Sequence, residues 1–290
     1  MIKISNNKIK IMTFDIEDWF HIIENEYKES ENNWDNYNNR VEKNIDKILD
    51  LLDENNIQAT FFSLGWIGDK YPQLLKKIQL GGHEIGSHSY AHTLVYKMKK
   101  DEFEEDLKRS IYTIEDAIGE KVTLYRAPGF SITKNEKWVF PLLIKYGIKF
   151  DCSVMPLKSS YGGYDLETYN TPFSFIHDNQ SIKEFPMSIK NYFFFKLPMI
   201  GGGYFRLFPW WQIKNAIKNQ EYLMTYFHPR DFDHEQPILA NLGLLRKFKS
   251  YHGLKNSMSK FKLLLNSFNF YSIGQINKTL NWEELPKVEL

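Results

Sequence analysis

One cysteine, Cys152, stands alone in 290 residues, so an internal disulfide is excluded. A cytoplasmic protein fits that, as does an exported one kept reduced. Long hydrophobic runs are missing as well. No stretch approaches the roughly 20 apolar residues of a membrane helix, and the opening MIKISNNKIKIMTFDIEDWF holds no secretory core. The expectation is a soluble, cytoplasmic protein with no transmembrane segment, at most peripheral to the inner face of a membrane. Charge of one sign is also lacking. The 37 basic and 36 acidic residues leave a formal net charge of +1, which gives no basic face for nucleic acid. Repeats and linker-like runs are absent. What remains is a chain that is 42% hydrophobic and 16% aromatic, enough for a large core. Some of those aromatics could serve as faces for sugar rings, and most fit core packing.

Short apolar runs alternate with helical patterns over the first 155 residues. KIKIMTFDIED reads as a strand ending in acids. VEKNIDKILDLLDENN places Val41, Ile45, Ile48, Leu49 and Leu52 on one helical face. IQATFFSLG is a strand stopped by Gly65, YPQLLKKIQLGG a helix closing on glycines, and HEIGSH a short strand. KKDEFEEDLKRSIYTIEDAIG is a long amphipathic helix ending at Gly119. The strands VTLYRAPG and KFDCSVMP flank the helix NEKWVFPLLIKYG. This β-α repetition predicts a parallel sheet, open or closed into a barrel, with function at the carboxyl ends of its strands. From 157 to 209 the pattern loosens into an irregular insertion holding one strand, SIKEFPMS. The helix WQIKNAIKNQ, the strand YLMTYFHP, the helix NSMSKFKLLLNSF and a last strand, FYSIGQI, follow. One domain over residues 1–290 is expected.

Residues with chemical potential fall at the predicted strand ends. GGHEIGSHSYAH carries His88 and His92 four apart, just after a strand. On a helical turn or a loop, two such imidazoles can converge on one ion, or they can simply be polar loop residues. His83 opens the strand and reads as structural. In TFDIED, Asp15 and Glu17 are two apart and share one side of a strand, whereas Asp18 points away unless the chain turns there. Two carboxylates on one side can divide the work, one completing a His/His/carboxylate site and the other acting as a base. YRAPG puts Arg126 where it can pair with a carboxylate. YFHP puts His228 at the end of an apolar strand, a place for a general acid. Asp151, at the end of KFD, could partner either His228 or Arg126.

The order TFDIED, HSYAH, YRAPG, FDCSV, YFHP resembles the five motifs of the polysaccharide deacetylases, carbohydrate esterase family 4, also called the NodB-homology family. FDIEDWF, YRAPGFSIT, GGGYFRLFPWW and YFHPRDFDHEQP resemble more closely the bacterial branch linked to exopolysaccharide assembly. The resemblance implies an α/β fold, a distorted (β/α)7-type barrel. It implies Asp15 as catalytic base, Arg126 as the residue that positions it, Asp151 in the fourth motif and His228 as general acid. It implies His88 and His92 as metal ligands, with Glu17 or Asp18 as the third. Zinc suits such a set, and cobalt, iron, nickel or manganese could replace it. The implied reaction is removal of N-acetyl groups from amino sugars of a glycan, or of a lipid- or nucleotide-linked sugar precursor. A backbone N–H near Tyr90 or Ala91 is expected to stabilise the oxyanion. Tyr90, Tyr204, Arg206 and Trp210 are candidate substrate contacts, with Tyr161, Tyr164 and Trp211 as further aromatics for a sugar groove. Three positions depart from the family's pattern: Ile16 follows Asp15, Ala127 stands where proline is frequent, and Thr225 stands where leucine is usual. The last would weaken the groove for the acetyl methyl group or move it to Met224 or Phe227. The alternatives are another C–N hydrolase on the same scaffold and a glycan-binding protein without catalysis.

Overall fold

The first predicted strand forms as two pieces, β1 (Ile9–Ile11) and β2 (Thr13–Ile16), separated at Met12. The computed structural model describes residues 8–23, 31–157, 162–164, 166, 169–192, 195–198, 200–239 and 242–290. Next come α1 (Val41–Glu54), β3 (Thr60–Ser63), α2 (Gly65–Lys70), α3 (Pro72–Leu80) and β4 (Glu84–Ser87). They are followed by α4 (Lys100–Ile118), β5 (Leu124–Tyr125), α5 (Val139–Lys145) and β6 (Phe150–Asp151). Helix α1 buries Val41, Ile45, Ile48, Leu51 and Leu52, as a 3.6-residue period requires; Leu49 is only half-buried, and Leu51 takes its place. Helix α4 ends where Gly119 adopts φ 74°, a left-handed cap that glycine reaches without strain. Gly65 does not merely stop β3. It opens α2, a helix too short to show a period in the sequence.

The segment from 157 to 209 holds more regular structure than its composition suggests. Strands β7 (Phe173–His177) and β8 (Gln180–Glu184) form an antiparallel hairpin. Its tip, Asp178 and Asn179, has φ 46° and 64°, the conformation of a two-residue hairpin turn. No glycine marks that turn, which is why it escapes a reading by composition. Strands β9 (Lys190–Tyr192) and β10 (Phe195–Leu197) form a second hairpin, and α6 (Gly202–Leu207) follows. The chain ends with α7 (Trp210–Lys218), β11 (Tyr222–Met224), α8 (Leu244–Tyr251), α9 (Leu254–Ser267), α10 (Ile273–Asn277) and β12 (Lys287–Glu289). FYSIGQI is therefore corrected from a strand to a helix start. Ser272 and Gln275 form a capping box, and only Tyr271 keeps a bridge, to Ile11.

The main sheet runs β12-β7-β8-β6-β5-β4-β3-β2 and is parallel except between β7 and β8. Beyond β2 the sheet continues onto the chain after β11. Asp15 N donates to the Phe227 carbonyl at 2.8 Å, and Phe227 N to that of Thr13 at 3.2 Å. On its far side, β11 reaches the exit of β8: Tyr222 Oη donates to the Pro186 carbonyl and Met224 N to Ser188 Oγ. The result is a distorted β/α barrel. Its core stacks Phe14 on Phe61 at 4.8 Å between ring centroids, with Phe227 and Phe261 beside them.

Candidate active site

The sheet register assembles the site. Ile16 lies opposite Ser63, Ser63 opposite Ser87, Ser87 opposite Tyr125, Tyr125 opposite Asp151 and Asp151 opposite Glu184. One row thus crosses the carboxyl ends of six strands. The residue after the row is Glu17 on one strand, His88 on another and Arg126 on a third. Gly86 permits this close spacing, because a Cβ there would lie 2.8 Å from the Leu124 Cβ and 2.9 Å from the Phe62 ring. The bridge Phe14–Phe227 brings His228 alongside Asp15.

Glu17, His88 and His92 converge, with one ligand-type atom from each lying within 4.8 Å of the others. Glu17 Oε1 is 2.8 Å from His92 Nε2 and 3.4 Å from His88 Nε2. The His88 Nδ1 meets the Arg126 carbonyl at 2.7 Å. A carbonyl only accepts, so the proton sits on Nδ1 and the Nε2 lone pair faces the cluster. His92 Nε2 is buried and makes no hydrogen bond of acceptable geometry despite its nearness to Glu17. A buried base with no proton partner, beside a carboxylate and a second lone pair, is a donor set suited to a divalent ion. Ser89 and His92 hold φ 69° and 55°, and a left-handed backbone at two residues of one loop is consistent with a shape held for function. Burial alone would raise the Glu17 carboxyl. His92, His228 and His88 outweigh it and hold the group well below the usual carboxylate range.

Asp15 is paired with Arg126 at 2.7 Å, both side chains being nearly out of solvent. The guanidinium is held on every side: it donates to Thr13 Oγ1 and the Cys152 carbonyl, and lies 4.2 Å from the centre of the Phe62 ring. His228 Nε2 is 4.0 Å from Asp15 Oδ2 and 3.7 Å from Glu17 Oε1. Its Nδ1 meets Asp231 Oδ2 at 3.1 Å. Burial lowers the His228 imidazole, but Glu17, Asp231 and Asp15 prevail and raise it to about 9. Burial likewise opposes the charge on Asp231, yet His228, Arg206 and Arg230 hold that carboxyl at about 2.

Other candidates lie elsewhere. Asp18 turns away from the cluster. A tight turn, Glu17 N to Asp15 O, redirects the chain, and Asp18 accepts from the backbone N–H groups of Trp19, Arg40 and Val41, supporting the start of α1. Asp151 partners neither His228 nor Arg126 among these contacts. It accepts from Ser153 and lies beside Glu184, whose carboxyl is pushed well above its usual range by burial and by the Asp151 charge. Tyr90 N and Ala91 N both donate to the half-buried Asp106 carboxylate, so neither N–H is left for an oxyanion. The Tyr90 side chain is itself buried, bonded to Asp69 and covered by Arg109. Arg206 is buried too. It donates to the carbonyls of Lys249, Ser250 and His252 and pairs with Asp231, so it does not face a substrate. Tyr204 and Trp210 are half-buried, Trp211 is exposed on α7, and Tyr164 packs in the core against Phe140 and Phe175. Tyr161 lies outside the described residues. Thr225 binds Thr13 inside the barrel, Met224 Sδ accepts from Arg126, and Phe227 belongs to the core, so none of the three forms a free wall for a methyl group. His83 is structural as expected, its ring accepting from Ala59 N.

Two contributors went unassigned in the sequence. Asp231 follows His228 by three residues in HPRD, a spacing that brings the two side chains together in a helical turn. Thr13, two residues before Asp15 and on the same side of the strand, steadies Arg126.

A polysaccharide deacetylase family model matches residues 7–149. Residues 7–149 belong to the polysaccharide deacetylase family. A second model, a domain of unknown function (DUF3473), matches residues 152–278. The deacetylase region carries Asp15, Glu17, His88, His92 and Arg126, and the second region carries His228 and Asp231. A peptidoglycan-N-acetylglucosamine deacetylase of Bacillus cereus is 36% identical over 93 residues, covering 32% of this chain and 34% of the relative. A peptidoglycan deacetylase of Helicobacter pylori is 35% identical over 116 residues, 39% of this chain and 38% of the relative. The match therefore spans little more than a third of either curated relative. A Mycobacterium smegmatis structure named for the same family superposes with a TM-score of 0.66 at 19% identity, over 99% of this chain and 95% of that one. Among the described residues, no helix is long and apolar enough to cross a membrane.

Proposed function

We propose that this family member is a metal-dependent hydrolase that removes N-acetyl groups from amino sugars of a bacterial glycan. The observation that carries the reading is the joint placement of three sets of groups: Glu17, His88 and His92 converge, the Asp15–Arg126 pair lies beside them, and so does the His228–Asp231 pair. The names of the curated relatives favour N-acetylglucosamine as the sugar. The closer sequence likeness favours an exopolysaccharide, or its lipid- or nucleotide-linked precursor, as the carrier. Residues 1–290 act as one unit in this reading, because the second matched region supplies the acid to a site built by the first.

Glu17, His88 and His92 would hold a divalent ion, zinc by preference for two imidazoles and a carboxylate. When bound, it supplies a Lewis acid for the acetamide carbonyl and lowers the pKa of water. The protein's own residues then divide the proton transfers. Asp15, fixed by Arg126, accepts a proton from the attacking water. His228 enters as the imidazolium, with Asp231 favouring its charged form, and Nε2 delivers a proton to the departing amine. The amide C–N bond breaks, and acetate and a free amino sugar leave. Acid-base help of this kind is worth roughly 10²–10⁴-fold.

Purified protein should release acetate from N-acetylglucosamine oligosaccharides, stop after chelation and recover with zinc or cobalt. Metal without acetate release across polymeric, lipid-linked and nucleotide-linked substrates would favour glycan binding alone. The pH profile adds a check on Asp231. Its carboxylate raises the His228 pKa, so the imidazolium persists to higher pH and activity is lost only as pH climbs past that raised value. Asp231→Asn should move the basic limb of kcat to lower pH and reduce the maximum. A limb that stays in place would remove Asp231 from this role.

A further inference from the structure

Helix α8 is built inside out. Leu244, Leu245 and Phe248 are 89%, 69% and 49% exposed, while Arg246 and Lys247 between them are half-buried. Phe248 lies three residues after Leu245 and four after Leu244, spacings that put it on one face with both, and a helix that only covers its own core turns that face inward. Neighbouring segments add to the patch. Leu239 N bonds the Tyr251 hydroxyl, which brings the exposed Ile238 to the end of α8. Arg206 binds the carbonyls of Lys249, Ser250 and His252, which brings the half-exposed Leu207 there too.

The chain segment that carries this patch has fixed charge of one sign. From Gln236 through Trp282 the chain has seven basic residues, Arg246 and six lysines, and no aspartate or glutamate, although the whole chain is nearly neutral. Among the described residues, no carboxylate pairs with Lys247, Lys249, Lys255 or Lys262. A twofold contact between two copies would press these basic collars together. An anionic bilayer suits both parts of the surface, apolar knobs entering the acyl boundary and ammonium groups meeting phosphates. We infer that α8 and its neighbours dock the protein on an anionic phospholipid surface. The inference does not rest on the deacetylase reading. The patch nonetheless connects to the site, since Arg206, which holds the end of α8, also pairs with Asp231 behind His228.

The test is co-sedimentation of the full chain with phosphatidylcholine vesicles, with and without about one-third phosphatidylglycerol, read beside sedimentation velocity. The protein should bind the anionic vesicles, less so as salt rises. Each lysine at such a surface is worth roughly fivefold, so Lys247→Glu/Lys249→Glu should weaken binding by more than about tenfold. Leu244→Ser/Leu245→Ser/Phe248→Ser should weaken it as well, with unchanged thermal midpoint and helix content because these side chains are exposed. The inference is overturned by absent binding, by equal binding to neutral vesicles, or by binding that neither variant changes. It is also overturned by a wild-type dimer that the triple variant dissolves, which would make the patch a self-association face.

Discussion

Alanine at His88 or His92, or glutamine at Glu17, should leave the purified protein without its divalent ion and without activity. The three residues contribute one donor each to a buried site, so each substitution removes a third of the donor set. Structural context sharpens the expectation for the acids. Glu17 faces both imidazoles, whereas the two Asp18 oxygens accept the backbone N–H groups of Trp19, Arg40 and Val41, the last of which also donates to Asn39 Oδ1. Asp18→Ala should therefore keep the ion and lose stability instead, by about 1–3 kcal/mol for orphaned donors at a part-buried helix start. Metal content by elemental analysis and a thermal melt for each variant separate the two outcomes. An ion retained in Glu17→Gln and lost in Asp18→Ala would reverse the assignment and require a different turn after Ile16.

The two acids differ for a reason the sequence only half discloses. Period-two alternation places Asp15 and Glu17 on one side of the strand, and that much is legible. The fate of Asp18 depends on the turn at Glu17 and on where α1 begins, twenty-three residues away, which no local pattern records. The same division runs through the rest of the site. Arg126 is readable as a partner for a carboxylate because it ends a strand, and the register then selects Asp15 and leaves Asp151 aside. Tyr90 and Arg206 look like substrate contacts because they are large, polar and close to motifs. Burial turns both toward structural duty, one under Arg109 and the other against the carbonyls that end α8. Elements long enough to show a period, such as α1 and α4, are visible in advance. The β7–β8 hairpin is not, because its turn is Asp-Asn without glycine, and neither is α10, whose capping box is buried in an apolar run.

Asp15→Asn should separate chemistry from binding. The amide keeps the size of the carboxylate and can still accept from Arg126 Nη1, which now lies at 2.7 Å from Oδ1. It cannot take a proton from water. Metal content and affinity for an N-acetylglucosamine oligosaccharide should stay near the wild-type values, while kcat falls by roughly 10²–10⁴-fold, the range for a lost general base. Arg126→Met removes the other half of a fully buried pair. It leaves Asp15 without its counter-charge, which costs about 3–5 kcal/mol in buried pairs, and frees the carboxylate to reorient. Its kcat should therefore fall with a clear loss of thermal stability. The double variant restores charge balance inside the barrel, so it should be more stable than Arg126→Met alone. It should also be little slower than Asp15→Asn, because two residues acting through one proton transfer are not additive. Acetate release, substrate affinity, metal content and melting temperature for the three proteins test each part separately. Loss of the ion in Asp15→Asn would make Asp15 a ligand. Multiplicative losses in the double variant would mean that Arg126 acts on the reaction by a route other than Asp15.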